Sequence, residues 1–181
     1  MGIRRVKSVP SDFLSGSTSR GFTLIELIVV ITLISMMMVF TMPNIRNAVL
    51  TDKNRKISNW ITAKITSLKG KAVQTRQRQT LHLDTAEGRM WITDASMDEE
   101  TLDTAEESGF ELPEGYILSD VEFPEKGTVS TGAAEIRFFP AGYSDKALIH
   151  IEDEEGNPMT FAVEPFLHDV KRFESYVEFE D

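Results

Sequence analysis

The chain has 181 residues, a mass of 20.4 kDa and a formal net charge of −10, which fits one domain with an appendage better than two domains. The absence of cysteine excludes disulfides, thiolate metal sites and cysteine nucleophiles. His82, His150 and His168 stand far apart without H-x-x-x-H spacing, so zinc is a poor expectation and no cofactor is expected.

Charge is arranged in three blocks. Residues 1–21 carry Arg4, Arg5, Lys7 and Arg20 against Asp12; residues 22–50 carry Glu26 and Arg46; residues 51–181 hold the remaining −13. A cationic head, an uncharged middle and an acidic body suit a chain that sits across a membrane. No charged residue occurs from Leu27 to Ile45, and residues 22–45 contain one charge in 24 positions. At ~1.5 Å per residue such a helix crosses the ~30 Å hydrocarbon core of a bilayer. The leader should stay cytoplasmic and the body should lie on the far side. A secretory signal peptide would place small residues beyond the apolar run. Here the far side reads Thr-Met-Pro-Asn-Ile-Arg, and the small residue, Gly21, lies on the near side.

Glu26 stands five positions into the apolar segment. A carboxylate costs roughly 2.5–3.5 kcal/mol at the centre of a spanning helix and less near its ends. Two readings are open: Glu26 lies at the interface and snorkels, or it meets a cation at its own depth. Cleavage before Phe22 would create such a cation, an α-amine with an ordinary pKa of about 7.7–8.0. That amine can neutralise a carboxylate four residues along, in the same chain or a neighbour, and fix the axial register of identical helices.

The stretch Gly21–Leu27, G-F-T-L-I-E-L, resembles the processing motif of type IV pilins and type II secretion pseudopilins. The resemblance implies that prepilin peptidase cuts between Gly21 and Phe22 and N-methylates Phe22. It places Glu26 at the family's charged position and Pro43 where a proline commonly kinks the helix. It further implies an inner-membrane anchor and lateral packing against other pseudopilins, major and minor. The leader of 21 residues is longer than many in the family.

Beyond Pro43 the apolar residues Ile57, Ile61, Ile65, Leu68 and Ala72 recur at helical spacing, flanked by Trp60 and Val73. The pattern predicts an amphipathic helix over residues 46–78, continuous with the membrane helix of 22–45 and bent at Pro43. Residues 79–181 read as a β-rich periplasmic domain. Leu81 and Leu83, then Met90 and Ile92, alternate with polar or rim residues across a turn at Ala86-Glu87-Gly88. Residues 94–109 read as an acidic loop. Further strands are expected at 115–123, 134–139, 147–152, 159–164 and 172–179. The fold class is α+β, a long N-terminal helix packed on an antiparallel sheet or sandwich.

Glu135-Ile-Arg-Phe-Phe-Pro-Ala-Gly-Tyr-Ser144 is similar to a stretch of the H-type minor pseudopilins, the GspH/FimT-like group. This second resemblance implies two β-sheets on the helix and a minor, tip-proximal structural subunit of the type II secretion pseudopilus. The alternative it leaves is a FimT-like minor pilin of a type IV pilus, in assembly or DNA uptake. The acidic body makes nucleic acid an unlikely partner.

No G-x-S-x-G, Walker loop or metal-ligand pair is present, so an enzyme is not expected. The clusters Asp98-Glu99-Glu100, Glu106-Glu107 and Glu152–Glu155 lack EF-hand spacing and read as solvated loop charge. Phe138 and Phe139 both read as core, Trp60 and Trp91 as core or rim, and His82 and His150 as surface or core-edge residues.

Overall fold

A computed structural model describes residues 22–180, apart from the side chains of residues 39–51. The chain divides between Asn47 and Ala48 into two compact units. Helix α1, Leu24–Thr75, runs through both. In the second unit Ile57, Ile61, Ile65, Leu68 and Ala72 are all buried, as their spacing predicts. The helix ends where Arg76 takes φ 56°, a left-handed conformation that costs a residue with a side chain roughly 1–2 kcal/mol.

Nine strands and a short helix follow: β1 Gln79–Asp84, β2 Arg89–Asp94, α2 Glu99–Glu107, β3 Phe110–Glu111, β4 Tyr116–Phe123, β5 Gly127–Val129, β6 Ala133–Phe138, β7 Ala147–Asp153, β8 Pro158–Val163 and β9 Lys171–Phe173. They form two sheets, one ordered β3-β2-β1-β6 and one ordered β5-β4-β7-β8-β9. Every pairing is antiparallel. The buried stripe of α1 shares one apolar cluster with Leu81, Leu83 and Ile136 of the first sheet and Val121, Ile149 and Phe161 of the second. Each such side chain contributes about 1.5–3 kcal/mol on leaving water.

A register shift between Leu118 and Asp120 marks a bulge at Ser119. It changes which face the following residues occupy. Leu118 lies in the core before it, and Val121 and Phe123 lie in the core after it, while Asp120 is turned to the opposite face of the sheet.

The structure corrects three readings. Residues 94–109 are not all loop, since α2 occupies Glu99–Glu107. The strand expected over 172–179 shrinks to β9, and the chain from Glu174 to Glu180 runs on as an irregular strap. Phe139 is only half-buried, whereas Phe138 is fully buried. The short strands β3 and β5 also lie outside the predicted set.

Candidate functional site

Thr23 opens α1. Its hydroxyl accepts a hydrogen bond from the Glu26 N–H at 3.3 Å, and its carbonyl accepts from the Leu27 N–H at 3.2 Å. Thr-x-x-Glu is the sequence of a capping box, so Thr23 satisfies an amide that would otherwise lack a partner. Glu26 consequently stands in the first turn, where the helix dipole favours a carboxylate by roughly 0.3–1 kcal/mol at an exposed site. This local role was legible in the sequence as Thr23 and Glu26 three apart; the expectation concerned only the charge of Glu26.

From Phe22 to Met38 every side chain is exposed, and Phe22 itself is 81% exposed. Leu24, Ile25, Leu27, Ile28, Val29, Val30, Ile31, Leu33 and Ile34 thus present apolar surface on all sides of the helix. Thr32, the polar interruption, returns its hydroxyl to the Ile28 carbonyl at 2.7 Å, so it adds no unsatisfied donor. A helix apolar all round needs an apolar surrounding, either lipid or other helices. Among the described residues no helix is long and apolar enough to cross a membrane. The apolar run of the sequence continues past Met38 to Ile45, over side chains outside the description.

Of the residues singled out in the sequence, the structure places Phe22 just ahead of α1 and Glu26 in its first turn. Gly21 lies outside the described residues. Pro43 falls within the bounds of α1, but its side chain, and with it the expected kink, lies outside the description.

In the second unit several buried polar groups hold the fold. His150 is 0% exposed, which corrects its reading as a surface or core-edge residue. Its Nδ1 lies 2.7 Å from Asp120 Oδ1, its Nε2 lies 2.8 Å from the Val177 carbonyl oxygen, and its ring stacks on Tyr176 at 4.0 Å. The Tyr176 hydroxyl donates to Asp120 Oδ2 at 3.1 Å. The Thr160 hydroxyl donates to the Ser175 carbonyl and accepts from the Val177 N–H. Burial, then the hydrogen bond to Asp120, pushes the Tyr176 phenol up to about 12. Burial likewise lowers the Lys69 amine, against the attraction of Glu164. Lys69 donates to the carbonyls of Glu164 and Leu167 and so clamps the loop between β8 and β9 onto α1.

Two of the acidic clusters contain a carboxylate with a structural task. Asp98 caps α2 by accepting from the Thr101 N–H at 3.0 Å, and Asp153 accepts from the Glu155 and Asn157 amides across the β7–β8 turn. Among the described residues no group of three or more His, Cys, Asp or Glu is placed to hold a metal ion.

Residues 16–42 match the prokaryotic N-terminal methylation motif. No curated protein sequence matches the chain. Among solved structures, the chain is similar to the minor pseudopilin EpsH from the type 2 secretion system of Vibrio cholerae. The TM-score is 0.54 at 11% identity, over 70% of this chain and 99% of that one. A second crystal structure of EpsH gives a TM-score of 0.53 at 12% identity, over 72% of this chain and 99% of that one. At such identity the likeness is one of fold. The chain therefore combines a pilin-like N-terminal motif with the α+β fold of a minor pseudopilin.

Proposed function

We propose that this chain is a minor pseudopilin, a structural subunit of a type II secretion pseudopilus that helps move folded proteins across the outer membrane. The observation that carries this reading is one helix, α1, that begins inside a methylation motif, exposes a mostly apolar surface up to Met38, and buries its second half in a domain of EpsH-like fold.

Prepilin peptidase removes residues 1–21 by cutting between Gly21 and Phe22 and then methylates the Phe22 amine. Until then the apolar segment of about residues 22–45 anchors the precursor in the inner membrane, with the leader cytoplasmic and the acidic domain periplasmic. After cleavage the Phe22 amine lies just ahead of α1 and the Glu26 carboxylate in its first turn, about one helical turn apart along the axis. An unpaired charge there is costly, whereas a pair with good geometry is not, so the carboxylate of one subunit selects the amine of its neighbour and sets the axial step. Pro43 lets the membrane segment and the domain adopt the directions that the filament requires. The chain acts by packing, not by catalysis.

The test is processing and assembly in cells with an intact secretion system. Mass spectrometry should find the mature chain starting at a methylated Phe22. Gly21→Leu should leave the leader attached and abolish secretion. Glu26→Leu should insert and be cleaved normally yet fail to enter the filament. Normal secretion by an uncleaved Gly21→Leu protein would overturn the reading.

A further inference from the structure

The strap from Glu174 to Glu180 is held to the outer face of the second sheet by side chains, not by a strand ladder. Thr160 bonds the Ser175 carbonyl and the Val177 amide, Glu122 accepts from the Phe179 amide, Tyr176 reaches Asp120, and His150 reaches the Val177 carbonyl. His150 and Thr160 are both 0% exposed, whereas no residue of the strap is fully buried. The strap therefore has little apolar anchorage, and its polar attachments decide whether it stays down.

Both ring nitrogens of His150 face oxygen. Nδ1 lies 2.7 Å from Asp120 Oδ1, and Nε2 lies 2.8 Å from the Val177 carbonyl oxygen. A carbonyl oxygen only accepts, so Nε2 carries a proton. A carboxylate oxygen likewise only accepts, so the Nδ1 contact needs a proton too, and an imidazole ordinarily takes it in preference to a carboxylic acid. With two protons the ring is a cation, and among the described residues it is the one cation paired with Asp120. Asp120 is 7% exposed, and a buried carboxylate without a counter-charge is costly. The other groups around the ring do not supply one. Tyr176 stacks on it and donates to Asp120 Oδ2. Glu122 of β4 and Glu152 of β7 share the outer face, and Glu178 stands on the strap; all three are acids. Lys146, just ahead of β7, lies over Phe179, and Lys171 of β9 stands opposite Ala162 of β8.

We infer that His150 and Asp120 form a buried imidazolium–carboxylate pair that latches the C-terminal strap, and that the strap is released when the ring loses a proton. Without the Nδ1 proton, a bare nitrogen faces the Asp120 carboxylate at 2.7 Å; without the Nε2 proton, a bare nitrogen faces the Val177 carbonyl at 2.8 Å. Either contact turns from attraction to repulsion. The docked strap thus requires a proton that the released strap does not, and docking weakens as pH rises. Loss of a charge-assisted hydrogen bond in a buried site shifts such an equilibrium by about ten- to a hundredfold. Opening is local. Ile149, Ile151 and Phe161, on the other face of the same strands, remain in the cluster with α1.

Carboxylic acids and lysines ordinarily titrate outside the range from about pH 6 to about pH 9, and Tyr176 lies above it at about 12, so a change within that range reports an imidazole. His82 and His168 make none of the strap's contacts. In the full processed chain held in detergent micelles, nitrogen NMR should find both ring nitrogens of His150 protonated at about pH 6. Amide protection factors, which remove the intrinsic pH dependence of exchange, should fall about tenfold or more over residues 174–180 between about pH 6 and about pH 9, with those of β1 unchanged. Asp120→Asn separates the latch from a merely structural contact. Its amide can donate to a bare Nδ1 while its oxygen accepts from Tyr176, so a neutral ring satisfies every contact and protection of the strap should be equal at the two ends of the range. A bare ring nitrogen at about pH 6 with the strap still protected would overturn the latch. So would equal protection at both ends of the range in the unaltered chain, or the same fall in Asp120→Asn.

Discussion

His150 and Asp120 show how far a single polar pair can organise the second sheet. Asp120 reaches His150 because the bulge at Ser119 turns it away from the core, and its other oxygen receives the Tyr176 hydroxyl. Tyr176 is raised from the ordinary 10.0 to about 12, first by burial and then by Asp120. The sign follows: the folded phenol holds its proton more tightly than the unfolded one, so its contribution to stability is complete below pH 10 and is lost as pH rises through about 12. Asp120→Asn should move the ionisation of Tyr176 back toward its usual ~10. Near-ultraviolet tyrosinate absorbance, with Tyr176→Phe as the reference, measures it; an unchanged titration would mean that burial alone sets the value. None of this was legible locally. Sequence places His150 on a strand beside apolar neighbours, but its partners come from 30 and 27 residues away. By contrast, Thr23 and Glu26 are three residues apart, and their pairing is written in the sequence.

Elements were legible in proportion to the apolar periodicity that defines them. The stripe on α1 and the alternation of core side chains in β1, β2, β4 and β6 arise from burial of one face, which leaves a period in the sequence, whereas β7 and β8 are buried on both faces and read as short apolar runs. Helix α2 buries nothing, so it leaves none. Its remaining signal was Asp98 at the N-cap followed by Glu99 and Glu100 in the first turn, both favourable at the positive end of a helix. Asp98→Ala should therefore loosen the helix locally, seen as faster amide exchange over residues 99–107 with little change in the global unfolding midpoint. Equal exchange in both proteins would show that the cap is idle. The strand expected at 172–179 failed for a different reason. Side chains of Thr160 and His150 take the backbone groups of Ser175 and Val177 that a strand ladder would use. Long-range hydrogen bonding of that kind has no period to read.

At the scale of the whole chain, the charge blocks and the apolar run divide the sequence into a basic leader, an apolar segment and an acidic body. The resemblance carried by Gly21–Leu27 lies within residues 16–42, which match the N-terminal methylation motif. The two sheets of the domain have no separate interiors: Ile57, Ile61 and Ile65 fill a single cluster with side chains from both. Neither sheet can melt while the other persists, so heat should unfold residues 48–181 in one cooperative transition. Ile61→Ala, at a cost of about 2–5 kcal/mol, should then lower amide protection by the same factor in β1 and in β7. A domain built this way meets mechanical load on its helix as a single body, with neither sheet free to peel first.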